Sequence, residues 1–199
     1  MSNFASGNAH VRLLASLFNG NDESLSAKSP LVGLFSKYKS MPPQTLREAT
    51  TTIFDAARDG LLPDADIDVL AVSIDVVLDA AEYQIATEGT PTPDMTVDLL
   101  AALKLYTAAI EPEETGLYYL VNKALRSEER SVVKPFTGII WLIMKGLRSL
   151  PAIEDTVIFR GVKKNLSGQY IKGTKVTWSA FSSCTSTLEV RTVFNAIFF

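Results

Sequence analysis

From Thr45 to Ser149 the apolar residues of this chain recur every three or four positions; near Leu150-Pro151 that period gives way to alternation. A period of 3.6 residues buries one face of a helix, and a period of 2 buries one face of a strand. The chain is therefore expected to be helical for its first two thirds and to turn to strands afterwards. Pro, Gly and short polar residues punctuate the helical part. Thr45, with Glu48 three positions on, reads as a capping box opening a helix that runs to about Arg58 and stops at Gly60. Asp64 or Asp66 starts the next. Ile67, Leu70, Ala71, Ile74, Val77, Leu78 and Ala81 form its apolar stripe, and Thr90-Pro91-Thr92-Pro93 ends it. A third helix is expected from Asp94 to about Ile110, burying Leu99, Leu100, Leu103 and Tyr106. A fourth runs from about Glu113 to Arg126. The fifth, with Pro135 in its first turn, reaches about Leu147 and is apolar nearly all round, the mark of a buried helix.

Beyond Pro151, Thr156 to Val162 is rich in β-branched and aromatic residues. Leu166 to Ile171 reads as a short helix, and Lys175–Phe181 and Thr192–Phe199 as two further strands. Residues 1–45 are mixed, with loop signals at Asn19-Gly20-Asn21-Asp22 and Ser29-Pro30.

Composition removes several function classes. The chain is 47% hydrophobic and 21% charged, the balance of a globular protein. A net charge of −3 over 199 residues argues against a nucleic-acid backbone binder, which needs a concentrated basic surface. A single Cys permits neither an internal disulfide nor a Cys-based zinc cluster, and a single His, His10, leaves no set of His ligands, so no metal is expected. Asp64, Asp66 and Asp68 lack the Gly and closing Glu of a calcium loop and read as helix N-terminal acids. No signal peptide or membrane-spanning run is seen, so a cytoplasmic protein without membrane attachment is expected.

Two motifs carry chemistry when taken together. One is Phe159-Arg160-Gly161, at the end of the first expected strand. The other is Phe181-Ser182-Ser183-Cys184-Thr185-Ser186, behind Trp178. They are preceded by Tyr118-Tyr119-Leu120-Val121-Asn122-Lys123-Ala124-Leu125-Arg126 and by Lys134-Pro135-Phe136. In order and spacing these elements resemble the Arg-Ser-Glu class of arginine-specific mono-ADP-ribosyltransferases, over about residues 95–199. The resemblance implies an α+β fold: a helical lobe, 46–150, followed by a mixed β core, 151–199, that is incomplete. Residues 1–45 would be a variable N-terminal segment.

It also implies a glycosyltransferase-type reaction, in which ADP-ribose passes from NAD, or NADP in its place, to a protein arginine. Arg160 would hold the pyrophosphate, for which a planar guanidinium fork is suited. Gly161 would let the backbone approach the nicotinamide. Ser183 would support the nicotinamide ribose, with Thr185 beside it. Arg160 and Ser183 would thus be the catalytic residues present; Arg160, Gly161, Ser183 and Thr185 would bind the cofactor. The class also uses a Glu-x-Glu element downstream of the Ser motif. The only acid after Ser183 is Glu189, too close to serve, and the sequence reaches Phe199 without the element. Loss of such a stabiliser typically lowers a rate by roughly 10²–10³, so weak or absent turnover is expected. The alternative reading is a non-catalytic interaction protein or NAD-binding remnant, self-associating through the Thr192–Phe199 strand.

Overall fold

The computed structural model describes residues 42–151 together with 180–181. Two compact units divide the chain, and every described helix belongs to the one spanning Ala5–Ala152. Five α-helices follow one another among the described residues: α1 (Leu46–Arg58), α2 (Ile67–Glu88), α3 (Val97–Thr107), α4 (Leu117–Arg126) and α5 (Thr137–Ser149). Short 3-10 segments at Glu113–Thr115 and Arg130–Phe136 lead into α4 and α5.

The expected α+β class is corrected by this architecture. Among the described residues every regular element is a helix and there is no strand. The physical reason lies in the sequence from Leu46 to Ser149, which carries helical periodicity and helix caps throughout, with no alternating run of the kind a sheet buries. The segments expected as strands, 156–162, 175–181 and 192–199, lie outside the described residues except for Ala180 and Phe181, which belong to no strand.

Each helix start has an identifiable cause. Thr45 caps α1, its hydroxyl accepting from the Glu48 N–H at 3.1 Å. The Glu48 carboxylate does not close the reciprocal bond of a capping box. It accepts instead from the N–H of Gln44, one residue earlier, at 2.9 Å. A second acceptor arrives from far away in sequence: Asp98 Oδ1, on α3, takes the Leu46 N–H at 2.7 Å. Asp66, rather than Asp64, caps α2, accepting from the N–H groups of Asp68 and Val69. Thr96 caps α3, which therefore begins later than the expected Asp94, because a turn from Thr92 to Met95 precedes it. Pro135 sits inside the 3-10 segment, so α5 opens two residues later than the expected start.

The core is organised around α5. Thr137, Gly138, Ile139, Ile140, Trp141, Leu142, Ile143, Met144 and Gly146 are all buried, as its circumferential apolarity requires. α1 packs on one side of it and α3 on another, while α2 lies against α3. Glycine makes both crossings close. A Cβ on Gly138 would lie 2.5 Å from the Ala49 carbonyl oxygen of α1, and one on Gly146 would lie 3.2 Å from Leu103 of α3. The Thr52 hydroxyl, midway along α1, also donates to the Pro135 carbonyl at 2.6 Å, fixing that helix against the entry to α5. In α3 the fully buried residues are Leu99, Ala101, Ala102 and Leu105, whereas Leu100, Leu103 and Tyr106, expected inside, are only partly covered.

Candidate functional site

The four residues singled out by sequence for NAD, Arg160, Gly161, Ser183 and Thr185, lie outside the described residues, as do Trp178, Cys184 and Glu189. Phe181, two positions before Ser183, is described and partly buried. Where the described residues concentrate polar side chains is along α4 and the loop that opens α2.

α4 is amphipathic, with Leu117, Leu120, Val121, Ala124 and Leu125 turned into the core. Asn122 falls inside that apolar face and is 1% exposed. A buried amide must find partners, since an unpaired one costs about 1–3 kcal/mol. Its Nδ2 donates to the Tyr106 hydroxyl at 2.8 Å, and the Tyr106 ring meets Tyr118 edge-on, with centroids 5.7 Å apart and planes at 65°. The Asn122 Oδ1 is buried with no hydrogen-bond partner among the described residues. This polar pair joins α3 to α4 inside an otherwise apolar contact.

The neighbouring residue, Lys123, points to the surface. Its Nζ donates to Asp64 Oδ2 at 2.5 Å and lies 5.7 Å from the centre of the Tyr119 ring. The hydrogen bond from Lys123 to Asp64, and then the attraction of that carboxylate, raise the Lys123 pKa above its ordinary value. Asp64 borders an open depression of about 480 Å³, lined by Pro63–Asp68 and Thr115. Two of its acids have structural work already, Asp64 pairing with Lys123 and Asp66 capping α2, while the third, Asp68, is exposed in the first turn of α2. Among the described residues no group of three or more His, Cys, Asp or Glu side chains could hold a metal ion. The depression therefore offers an acidic rim, partly anchored through Asp64 and Asp66.

The Tyr106–Asn122 pair and the Lys123–Asp64 pair were not anticipated from sequence. The first had a signal, an asparagine set between apolar residues on a helix face. The second had none, because 59 positions separate its members. No helix among the described residues is long and apolar enough to cross a membrane. Compared with known protein families, with curated proteins and with solved structures, the chain matches none of them.

Proposed function

We propose that this chain binds NAD in the manner of arginine-directed mono-ADP-ribosyltransferases, with Arg160 on the pyrophosphate, Gly161 against the nicotinamide and Ser183, with Thr185, at the ribose. The observation that carries the reading is linear: an Arg-Gly pair closing a β-branched run, followed by Phe181-Ser182-Ser183-Cys184-Thr185. Guanidinium is the side chain best shaped for a bidentate grip on phosphate oxygens, and a small hydroxyl suits a ribose. NADP is the alternative nucleotide, and a protein arginine is the acceptor in any transfer.

Thermal unfolding of the full chain in rising NAD tests the proposal. A ligand that binds only the native state raises stability by about 2.7 kcal/mol at a hundredfold excess over its Kd. The expected result is a dose-dependent rise in Tm that Arg160→Ala and Ser183→Ala each reduce. A flat Tm, or one that rises equally in Arg160→Ala, refutes the assignment.

A further inference from the structure

The outward face of α2 is built differently from an ordinary solvated helix face. Inward, Leu70, Ile74, Val77 and Ala81 are buried. On the opposite side Val72, Val76 and Tyr83 stand 63%, 60% and 73% exposed. With half-buried Val69 and exposed Asp79 and Ala86 they follow a seven-residue repeat: Val69, Val76 and Tyr83 on one register, Val72, Asp79 and Ala86 on the other. Val69, Val72, Val76 and Tyr83 thus line a short apolar strip, interrupted by Asp79, at the a/d spacing through which one helix receives another. The flanking g register is acidic throughout, with Asp68, Asp75 and Glu82, while the e register, Ser73, Ala80 and Thr87, is uncharged. α2 contains no Lys or Arg. Asp75 is held by Arg47 of α1 at 2.6 Å, whereas Asp68 and Glu82 have no side-chain ion-pair partner among the described residues.

The geometry points to a docking surface on the outer face of α2 for a basic amphipathic helix, one that carries apolar residues at its own a and d positions and Lys or Arg beside them. The charge pattern selects this occupant over a second copy of the chain. Two copies in antiparallel register would set the acidic g rows against each other. In parallel register they would set acids against uncharged residues and bring the two Asp79 carboxylates together. A basic partner sets an opposite charge beside Asp68 and Glu82, the g-row acids without an ion-pair partner among the described residues, and Asp79 within the seam fixes its register as buried polar residues do in paired helices. The length is adequate: 22 residues at a rise of 1.5 Å present about 33 Å of helix. This surface is independent of the NAD proposal, since Arg160 and Ser183 play no part in it.

The test uses the full-length chain and two labelled helical peptides, both with Leu at a and d, one with Lys and one with Glu at e and g. Fluorescence anisotropy is expected to show the Lys peptide binding ~10-fold more tightly, because Asp68 and Glu82 attract its lysines and repel the glutamates of the other peptide. Binding should weaken in ~1 M salt. Val76→Asp should weaken it by at least ~10-fold while leaving thermal unfolding unchanged, because the side chain it replaces is exposed. Asp79→Lys is a second variant and should narrow the preference between the two peptides. No binding of the Lys peptide to the full chain overturns the proposal, as does equal binding of both peptides or binding that survives Val76→Asp. A dimer of the free chain that Val76→Asp dissolves also overturns it, in favour of a second copy.

Discussion

Gly138→Ala is expected to destabilise the protein although it removes a glycine from a helix. In an exposed helix that exchange gains about 1 kcal/mol. Here the new methyl would lie 2.5 Å from the Ala49 carbonyl oxygen, 3.0 Å from its Cα and 3.1 Å from its carbonyl carbon. All three are backbone atoms of α1, so no side chain can rotate away. Relief requires α1 and α5 to separate by roughly 0.7 Å, which loosens the packing of Leu46, Ile53 and Ile139 and strains the Thr52–Pro135 hydrogen bond. Overpacking of this kind costs about 1–3 kcal/mol, and contact with rigid backbone belongs at the top of that range or above it. The net loss should be about 2 kcal/mol, equivalent to a Tm lower by about 4–8 °C for a chain of this size. Gly146→Ala in the same helix is the internal control. Its methyl would meet Leu103 at 3.2 Å and the Leu99 carbonyl at 3.3 Å, contacts relieved by a few tenths of an ångström. It should change stability by less than about 1 kcal/mol, the propensity gain offsetting the crowding. Urea unfolding of the full chain, read as a change in midpoint at constant slope, measures both. A Gly138→Ala protein as stable as the parent, or no less stable than Gly146→Ala, would refute the close crossing of α1 and α5.

Two further outcomes are expected. Removing the Asp98 carboxylate with Asp98→Ala should cost about 1.5–3 kcal/mol, the range for a hydrogen bond to a charged group, and Asp98→Asn should cost less because an acceptor oxygen remains; chemical denaturation separates the two, and equal losses would show that Asp98 does not act through the Leu46 N–H. Because Asp64 raises the Lys123 pKa, this pair favours the folded state at neutral pH and up to the unfolded lysine's value, and loses that contribution as pH climbs through the folded one. Asp64→Asn should return Lys123 to its ordinary pKa, seen by NMR titration of the lysine side chain above neutral pH, and an unchanged value would exclude the pair as the cause.

Local features of the fold were legible in the sequence where a nearby residue decides them. Thr45 is such a case, its hydroxyl facing an N–H three residues on, and the all-round apolarity of α5 announced its burial. Boundaries shifted where two local signals competed: Asp94 offered an acid for a first turn, but Thr96 provides the cap after the Thr92–Met95 turn, and Pro135 was satisfied by a 3-10 geometry before the α-helix began. Ties such as Asp98 to Leu46, Arg47 to Asp75 and Lys123 to Asp64 were not legible, because they exist only once helices remote in sequence have docked. The outer seam of α2 is present in the sequence as a heptad. It was masked by the stronger stripe Leu70, Ile74, Val77 and Ala81 on the inner face of the same helix. The α+β expectation came from residues after Pro151 and finds no strand among the described residues. The NAD residues rest on motif order alone, since Arg160, Gly161, Ser183 and Thr185 lie outside the described part.

The central place of α5 also sets an order of events on the ribosome. It is the last of the five described helices to be synthesised, yet α1, the first, depends on it for cover. The Thr52–Pro135 bond spans 83 positions, which at about 5–20 residues per second is a wait of roughly 4–17 s. During that interval Leu46, Ala49, Ile53 and Ala56, buried in the native fold, lack the cover that α5 provides. A translational pause just upstream of Thr137 would lengthen the time for which α1 lacks the helix that covers it in the native fold.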